Sequence, residues 1–409
     1  MSFKIPSVFK NYNFMLLWIG QSVSKLGDRF YAIAMMWYIY QLTGSPLALG
    51  ISVLCNTLPT IIFSPIAGVL SDRIDKKKII VLSDLLNGLS MVFLAYLLLS
   101  GNQSLNIIYL FIVIVASITA FFSPAITASI PLIVDDRDLP KANSLSQLSS
   151  QITNIIGPAL AGVMIAFADM WLLVLINGIS YLLSAFSECF IKVPKIVSKT
   201  NNEGFMANFK EGLQCTLSNK GLLLLVFAGI FINFFLAPLN VYITIITSEI
   251  LTVGSTGLGI IFSLVSIGAL IGTFAVLANI FKDIFKMTIF GISVQGLTLI
   301  ALGLFTNNYF ALLIVAAVMG FGVSIATIGI GTLYQKMIPK EKLGRVISLI
   351  GMLLSITVPL GTMFGTFILT LLPIPTTLLF SGLLVSLVAI IVSPGILRFN
   401  AKPTEIETV

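Results

Sequence analysis

Twelve apolar runs occupy most of this chain, and their length constrains the fold more than any other feature. They lie near 14–40, 46–71, 78–100, 105–131, 141–168, 170–191, 221–248, 256–280, 286–306, 309–335, 343–372 and 376–394. A helix needs about 20 apolar residues to cross the hydrocarbon layer, and it satisfies its own backbone hydrogen bonds there. With 57% hydrophobic and 10% charged residues, the chain lacks the polar side chains that would dress a water-facing surface for 409 residues. The expectation is an all-α integral membrane protein of twelve transmembrane helices. Pro373-Ile374-Pro375 separates the last two runs, because prolines this close end one helix and start the next. The first run is too long for a signal h-region and has no small-residue cleavage site, so it reads as a span.

The positive charges set the orientation. Of 23 Lys and Arg, only Lys25 and Arg29 lie deep inside a span; the rest fall at the two termini, in alternate connections or at the helix ends beside them. The other connections, such as Thr43-Gly44-Ser45-Pro46, Gly101-Asn102-Gln103-Ser104 and Thr306-Asn307-Asn308, carry none. This positive-inside bias puts both termini in the cytoplasm and requires an even number of spans. It also accounts for the net charge of +7, as topology with some lipid contact, and not as a nucleic-acid footprint.

The chain divides in two. Residues 1–192 and 221–409 each hold six spans, and 193–220 form a cytoplasmic linker. Within the linker Phe205, Phe209, Leu213 and Leu217 recur every four residues, which suits a short helix lying on the membrane surface or else a plain solvated connection. A shift of 201 residues lays Pro158 on Pro359 and Lys141 on Lys342, so two pseudo-symmetric six-helix bundles are expected.

Ionisable residues at membrane depth are costly and mark function. Asp28 sits near the middle of the first span, with Lys25 three residues before it and Arg29 adjacent, and Gln21 lies two turns away on the same face. These are the candidates for cargo binding and proton coupling. Phe30, Tyr31, Trp37 and Tyr38 on the same span suit an amphipathic, cationic or bulky organic cargo, or else face lipid and pack at the interface as most such aromatics do. Glu188, four residues before Lys192, reads either as an interfacial partner of that lysine or as a cavity residue. Asp84 reads as a partner of the basic loop before it, and Asp169 and Glu249 as solvated. Asn56, Asn154, Asn177, Asn233 and Gln295 either bind cargo or bridge helices. The chain has no histidine, and its three scattered cysteines (Cys55, Cys189, Cys215) read as small packing residues, so neither a metal site nor a cofactor is expected.

Three motifs carry a resemblance. Gly68-Val69-Leu70-Ser71-Asp72-Arg73-Ile74-Asp75-Lys76-Lys77-Lys78, between the second and third runs, resembles the signature loop of the major facilitator superfamily, with Asp75 at the usual glycine and Lys76 at the usual arginine. Gly157-Pro158-Ala159-Leu160-Ala161-Gly162 resembles the Gly-Pro bend motif of exporters and antiporters in that superfamily. Gly20-Gln21-Ser22-Val23-Ser24-Lys25-Leu26-Gly27-Asp28-Arg29-Phe30 with Leu42-Thr43-Gly44-Ser45-Pro46, and the entry to the eleventh span at Gly344-Arg345-Val346, resemble its exporter branch of macrolide-efflux, enterobactin-exporter and lysophospholipid-transporter proteins. Ferroportins share the Gly27-Asp28-Arg29 part. The resemblance implies that Gly68, Asp72, Arg73, Lys76 and Lys77 form a conformational-switch loop, Asp72 meeting the start of the eleventh span and Arg73 a carboxylate among Asp135, Asp136 and Asp138. It implies that Gly157, Pro158 and Gly162 bend or seal the cavity.

The expected activity is secondary transport by alternating access. The cargo is a small amphipathic organic compound, exported against protons by a monomer in a bacterial plasma membrane. Siderophore, lysophospholipid and divalent-metal export are the alternatives within the superfamily. A membrane-embedded lipid-modifying enzyme is the alternative outside it, but the sequence offers no converging set of nucleophile, base and metal ligands. No phosphate-binding loop is present, so the energy would come from an ion gradient.

Overall fold

The computed structural model describes residues 7–135, 137–194, 205–339 and 342–400. Among these the regular structure is helical throughout. In chain order the helices are α1 (Tyr12–Thr43), α2 (Pro46–Arg73), α3 (Lys76–Leu99), α4 (Leu105–Ile133), α5 (Leu139–Phe167) and α6 (Met170–Cys189). They continue as α7 (Phe205–Ser218), α8 (Lys220–Leu236), α9 (Leu239–Ile245), α10 (Gly254–Leu277), α11 (Ile284–Leu304), α12 (Tyr309–Met337), α13 (Leu343–Ile368) and α14 (Ile374–Asn400).

Eleven spans among the described residues are long and apolar enough to cross a membrane, one of them built from α8 and α9 together. The twelfth, α1, has 32 residues but is diluted by Lys25, Asp28 and Arg29. The run at 221–248 is not one helix: α8 ends at Leu236, and the chain re-enters at Pro238 as α9, because a proline cannot donate into the preceding turn. A π turn over Ile246–Ile250 completes the span.

Connections follow local chemistry. Gly44 closes α1 in the left-handed region (φ 58), and its N–H donates to the Tyr40 carbonyl. Ser45 then caps α2, with Pro46 at the first helical position. Between α2 and α3 the expected loop shrinks to Ile74 and Asp75, since the helix runs on through Gly68, Asp72 and Arg73. Asp75 explains the missing glycine: its carboxylate accepts from the Lys77 N–H at 3.1 Å and caps α3, a job a glycine cannot do.

The chain forms two compact units, residues 1–200 with 253–263, and residues 201–252 with 264–409. The linker helix α7 therefore belongs to the second unit, and the start of α10 to the first. Ser255 and Thr256 donate to the Gly162 carbonyl at 3.0 and 3.2 Å, and Ser263 donates to the Ile155 carbonyl at 2.8 Å. Gly259 lies against Gly162 and the Pro158 carbonyl, so close that a methyl on Gly259 would overlap backbone. The Gly-Pro segment is thus a surface of close backbone packing inside an unbroken α5.

Each unit repeats one pairing pattern. In the first, α1 packs on α5 and α6, and α3 on α4 and α6; in the second, α8 packs on α13 and α14, and α11 on α12 and α14. Pro158 in α5 and Pro359 in α13 occupy matching helices, as the 201-residue shift requires. The cysteines depart from expectation. None is buried, and Cys189 is exposed because it ends α6.

Candidate functional site

The site lies in the first unit, where α1 meets α3, α5 and α6. Close approach comes from glycine. Gly20 lies against Ser184 and Ser187, and Gly27 against Asn177 and Ser180, so α1 and α6 touch through hydroxyls and amides where bulky side chains would hold them apart. Gly157 of α5 does the same for the stem of Arg29.

A buried polar cluster fills this contact. Gln21 on α1, Asp84 on α3 and Ser184 and Glu188 on α6 are all buried. The Gln21 side-chain amide donates toward Glu188 Oε1 at 2.7 Å, Ser184 Oγ at 3.2 Å and Asp84 Oδ2 at 3.3 Å. The Ser184 hydroxyl also donates to Glu188 Oε1 at 3.4 Å. The second carboxyl oxygen of Glu188 has no hydrogen-bond partner. Glu188 is therefore not an interfacial partner of Lys192, and Asp84 is not paired with the basic turn; both point into the bundle because α3 and α6 pack along that face. The basic turn finds another acceptor, as Lys77 donates to the Cys189 carbonyl at 2.6 Å.

Two turns further along α1, Asp28 is partly exposed. It accepts from the Asn177 amide at 3.4 Å, and the Tyr181 hydroxyl is within hydrogen-bonding reach. Among the described residues no ion pair joins Asp28 to Lys25 or Arg29. The Tyr31 hydroxyl is enclosed nearby without a partner.

A cavity of about 580 Å³ opens between α1, α4 and α5. Phe14, Leu17, Trp18, Ile126 and Ile130 give it an apolar wall, while Gln21, Ser22, Lys25, Asn143, Gln147 and Ser150 give it a polar one. Gln21 belongs to both structures: it lines the cavity and holds the two buried carboxyls. Ser22 and Ser149 bridge α1 to α5 at 2.6 Å, and the Trp18 indole donates to the Leu145 carbonyl at 3.1 Å. The aromatics of the cavity are Phe14 and Trp18. Phe30 and Trp37 are buried in helix packing and do not line the cavity.

The remaining candidates fall elsewhere. Lys76 and Lys77 start α3, and Lys77 meets the end of α6 at the Cys189 carbonyl without pairing with the carboxyls of the cluster. The side chains of Gly68, Asp72 and Arg73, and the whole of Asp136, lie outside the described residues; Asp138 pairs with Lys141 at 2.7 Å. Gln295 and Asn233 donate to the backbone of Gly322 and Gly229, as structural groups do. No group of three or more His, Cys, Asp or Glu among the described residues is arranged to hold a metal ion.

Comparison with known proteins gives the family. A family described as transmembrane secretion effector, of the major facilitator superfamily, matches residues 6–405. Macrolide efflux protein A of Streptococcus pyogenes is 27% identical over 92% of this chain and 94% of its own length. The putative bacilysin exporter BacE of Bacillus subtilis (strain 168) is 28% identical over 86% of this chain and 87% of its own. Among solved structures, a bacterial homologue of the iron transporter ferroportin in its inward-facing state superposes with a TM-score of 0.73, at 16% identity, over 97% of this chain and 100% of its own. The last is a likeness of fold alone. Eleven spans among the described residues with the long α1 beside them, a buried polar cluster next to a mixed cavity, and a family match over nearly the whole length lead to one assignment: the chain belongs to the transmembrane secretion effector family of major facilitator superfamily membrane transporters.

Proposed function

We propose that this transporter exports a small amphipathic organic compound by alternating access, in exchange for protons, across a bacterial plasma membrane with both termini in the cytoplasm. The observation that carries the reading is the cavity of the first unit. One wall is aromatic and aliphatic and the other is a stripe of hydroxyls and amides with one lysine, which is the lining an amphipathic molecule needs. The relatives named for macrolide efflux and bacilysin export support an organic cargo moved outward. Buried carboxyls one side chain away from that cavity supply groups able to exchange protons with it. Lys25 is the charged group of the cavity lining, while Asp28, held by Asn177 and Tyr181, stands about one turn further along α1 and outside that lining, where cargo moving on from the cavity would reach it.

Energised uptake into inverted membrane vesicles tests this. Fluorescent amphipathic cations and a macrolide should accumulate when a proton gradient is imposed, and a protonophore should abolish the accumulation. Asp28→Asn should lower uptake of at least one of these compounds. Wild-type vesicles that accumulate none of them would remove the amphipathic cargo, and accumulation indifferent to the protonophore would remove the proton.

A further inference from the structure

We infer that Asp84 and Glu188, bridged by Gln21, form the proton-carrying site of this transporter, distinct from Asp28 and from the cavity-lining Lys25. The inference rests on the proton-coupled reading above and names the residues that perform it.

The argument is one of counting donors. Gln21 and Ser184 offer three side-chain protons, two on the amide and one on the hydroxyl. They face two carboxyl groups with four oxygens, and the Gln21 amide is itself shared among three acceptors. One oxygen, Glu188 Oε2, is enclosed in a residue with 0% exposure and receives nothing. The two carboxyls are within side-chain hydrogen-bonding reach of each other. A single proton on Glu188, donated toward Asp84, supplies the missing hydrogen bond and lowers the charge of the pair from −2 to −1. Two like charges this close in a buried site do not both persist without a proton or a cation.

The surroundings offer no permanent cation to do that work. From α1 the facing titratable group is Asp28, and from α6 it is Tyr181. Helix α4, packed on α3, carries no charged residue. Of the lysines at the start of α3, Lys77 donates its ammonium to the Cys189 carbonyl, next in the chain to Glu188, and among the described residues no ion pair joins a lysine to Asp84 or Glu188. The route for the proton is short. Gln21 reaches the pair from the cavity wall, so water in the cavity can take the proton when the pair gives it up. In the exchange, one proton from the outer side binds the pair, and the pair returns it to water on the inner side as cargo is loaded; no bond other than O–H forms or breaks.

Glu188→Gln and Asp84→Asn preserve shape and can still hydrogen-bond Gln21. The full-length protein in lipid nanodiscs, compared between acid and alkaline pH by infrared difference spectroscopy, should show a protonated-carboxyl band that is absent from both variants and present in Asp28→Asn. In vesicles, both variants should fall to the de-energised baseline of accumulation while keeping cargo counterflow without a gradient. A band unchanged in both variants would overturn the assignment, as would wild-type accumulation in either. Loss of counterflow along with accumulation would overturn it too, by making the pair a cargo or structural site. Should the wild type itself show no proton-driven accumulation, the coupling reading fails, and the infrared band still decides whether this pair holds a proton.

Discussion

At the scale of single residues, glycines decide whether the polar cluster can exist. A methyl on Gly27 would overlap the Ser180 hydroxyl and the Asn177 amide oxygen, and that amide also donates to Asp28. Gly27→Ala must push α1 from α6 or turn Asn177 away, and overpacking of this kind costs about 1–3 kcal/mol. A fall in melting temperature in detergent, with loss of uptake, is the expected result. Gly351 in α13 has open space where its Cβ would stand, so Gly351→Ala should hold or raise the melting temperature, by up to about 1 kcal/mol from helix propensity. Equal behaviour of the two variants would contradict the packing argument. Residue by residue, the site is only half legible in the sequence. Asp28 and Gln21 stand out because a charge and an amide interrupt an apolar run on one face. Asp84 reads as a partner of the basic loop and Glu188 leaves two readings open, because each lies near lysines in sequence, and only packing shows that both face inward. A signal was available: Asn177, Ser180, Tyr181, Ser184 and Glu188 form a polar stripe at helical spacing along α6, which a residue-by-residue reading overlooks.

Among the elements, α7 shows how a linker is tied down. Glu211 pairs with Arg345 and, at 3.5 Å, with Lys342, while Gly212 lets α7 rest against the Arg345 backbone of α13. Leu213 and Leu217 stay exposed, as a helix on a lipid surface requires; the side chains of Phe205 and Phe209 lie outside those described. Hydrogen bonding from the Arg345 guanidinium holds the Glu211 carboxyl below the usual glutamate range. A carboxylate depressed in this way contributes fully above its unfolded value, about 4.3, and loses its contribution as pH falls through the lower folded value. Between about pH 5 and 8 the pair is therefore constant, and any pH dependence of transport there arises elsewhere. Glu211→Gln should speed proteolytic cleavage within 193–220 without altering the pH profile of transport; unchanged cleavage would mean that α7 is held by its apolar contacts alone. Of the elements, the proline-separated α13 and α14 are legible in sequence, since two prolines leave no other choice. The break between α8 and α9 is not, because a single Pro238 sits inside an apolar run that continues across it.

For the whole molecule, we propose from the charge pattern and the cavity together which way the protein faces. The cavity is lined by the first half of α1, the end of α4 and the start of α5, so it opens at the end of the first unit where the basic connections lie. The connections at the other end of the first unit, 44–45, 100–104 and 168–169, hold no Lys or Arg. If translocation retains the basic ends in the cytoplasm, as the positive-inside bias requires, this cavity loads from the cytoplasm, and movement of cargo from it is export. The orientation can be read directly, after Cys55, Cys189 and Cys215 are replaced by serine. A cysteine at Asn102 or Asn307 should react with a membrane-impermeant maleimide in intact cells. One at Lys141 or Lys282 should react only in inverted vesicles. The opposite pattern would turn the cavity outward, and the same lining residues would then serve uptake, so this labelling experiment tests the direction of transport as well as the topology.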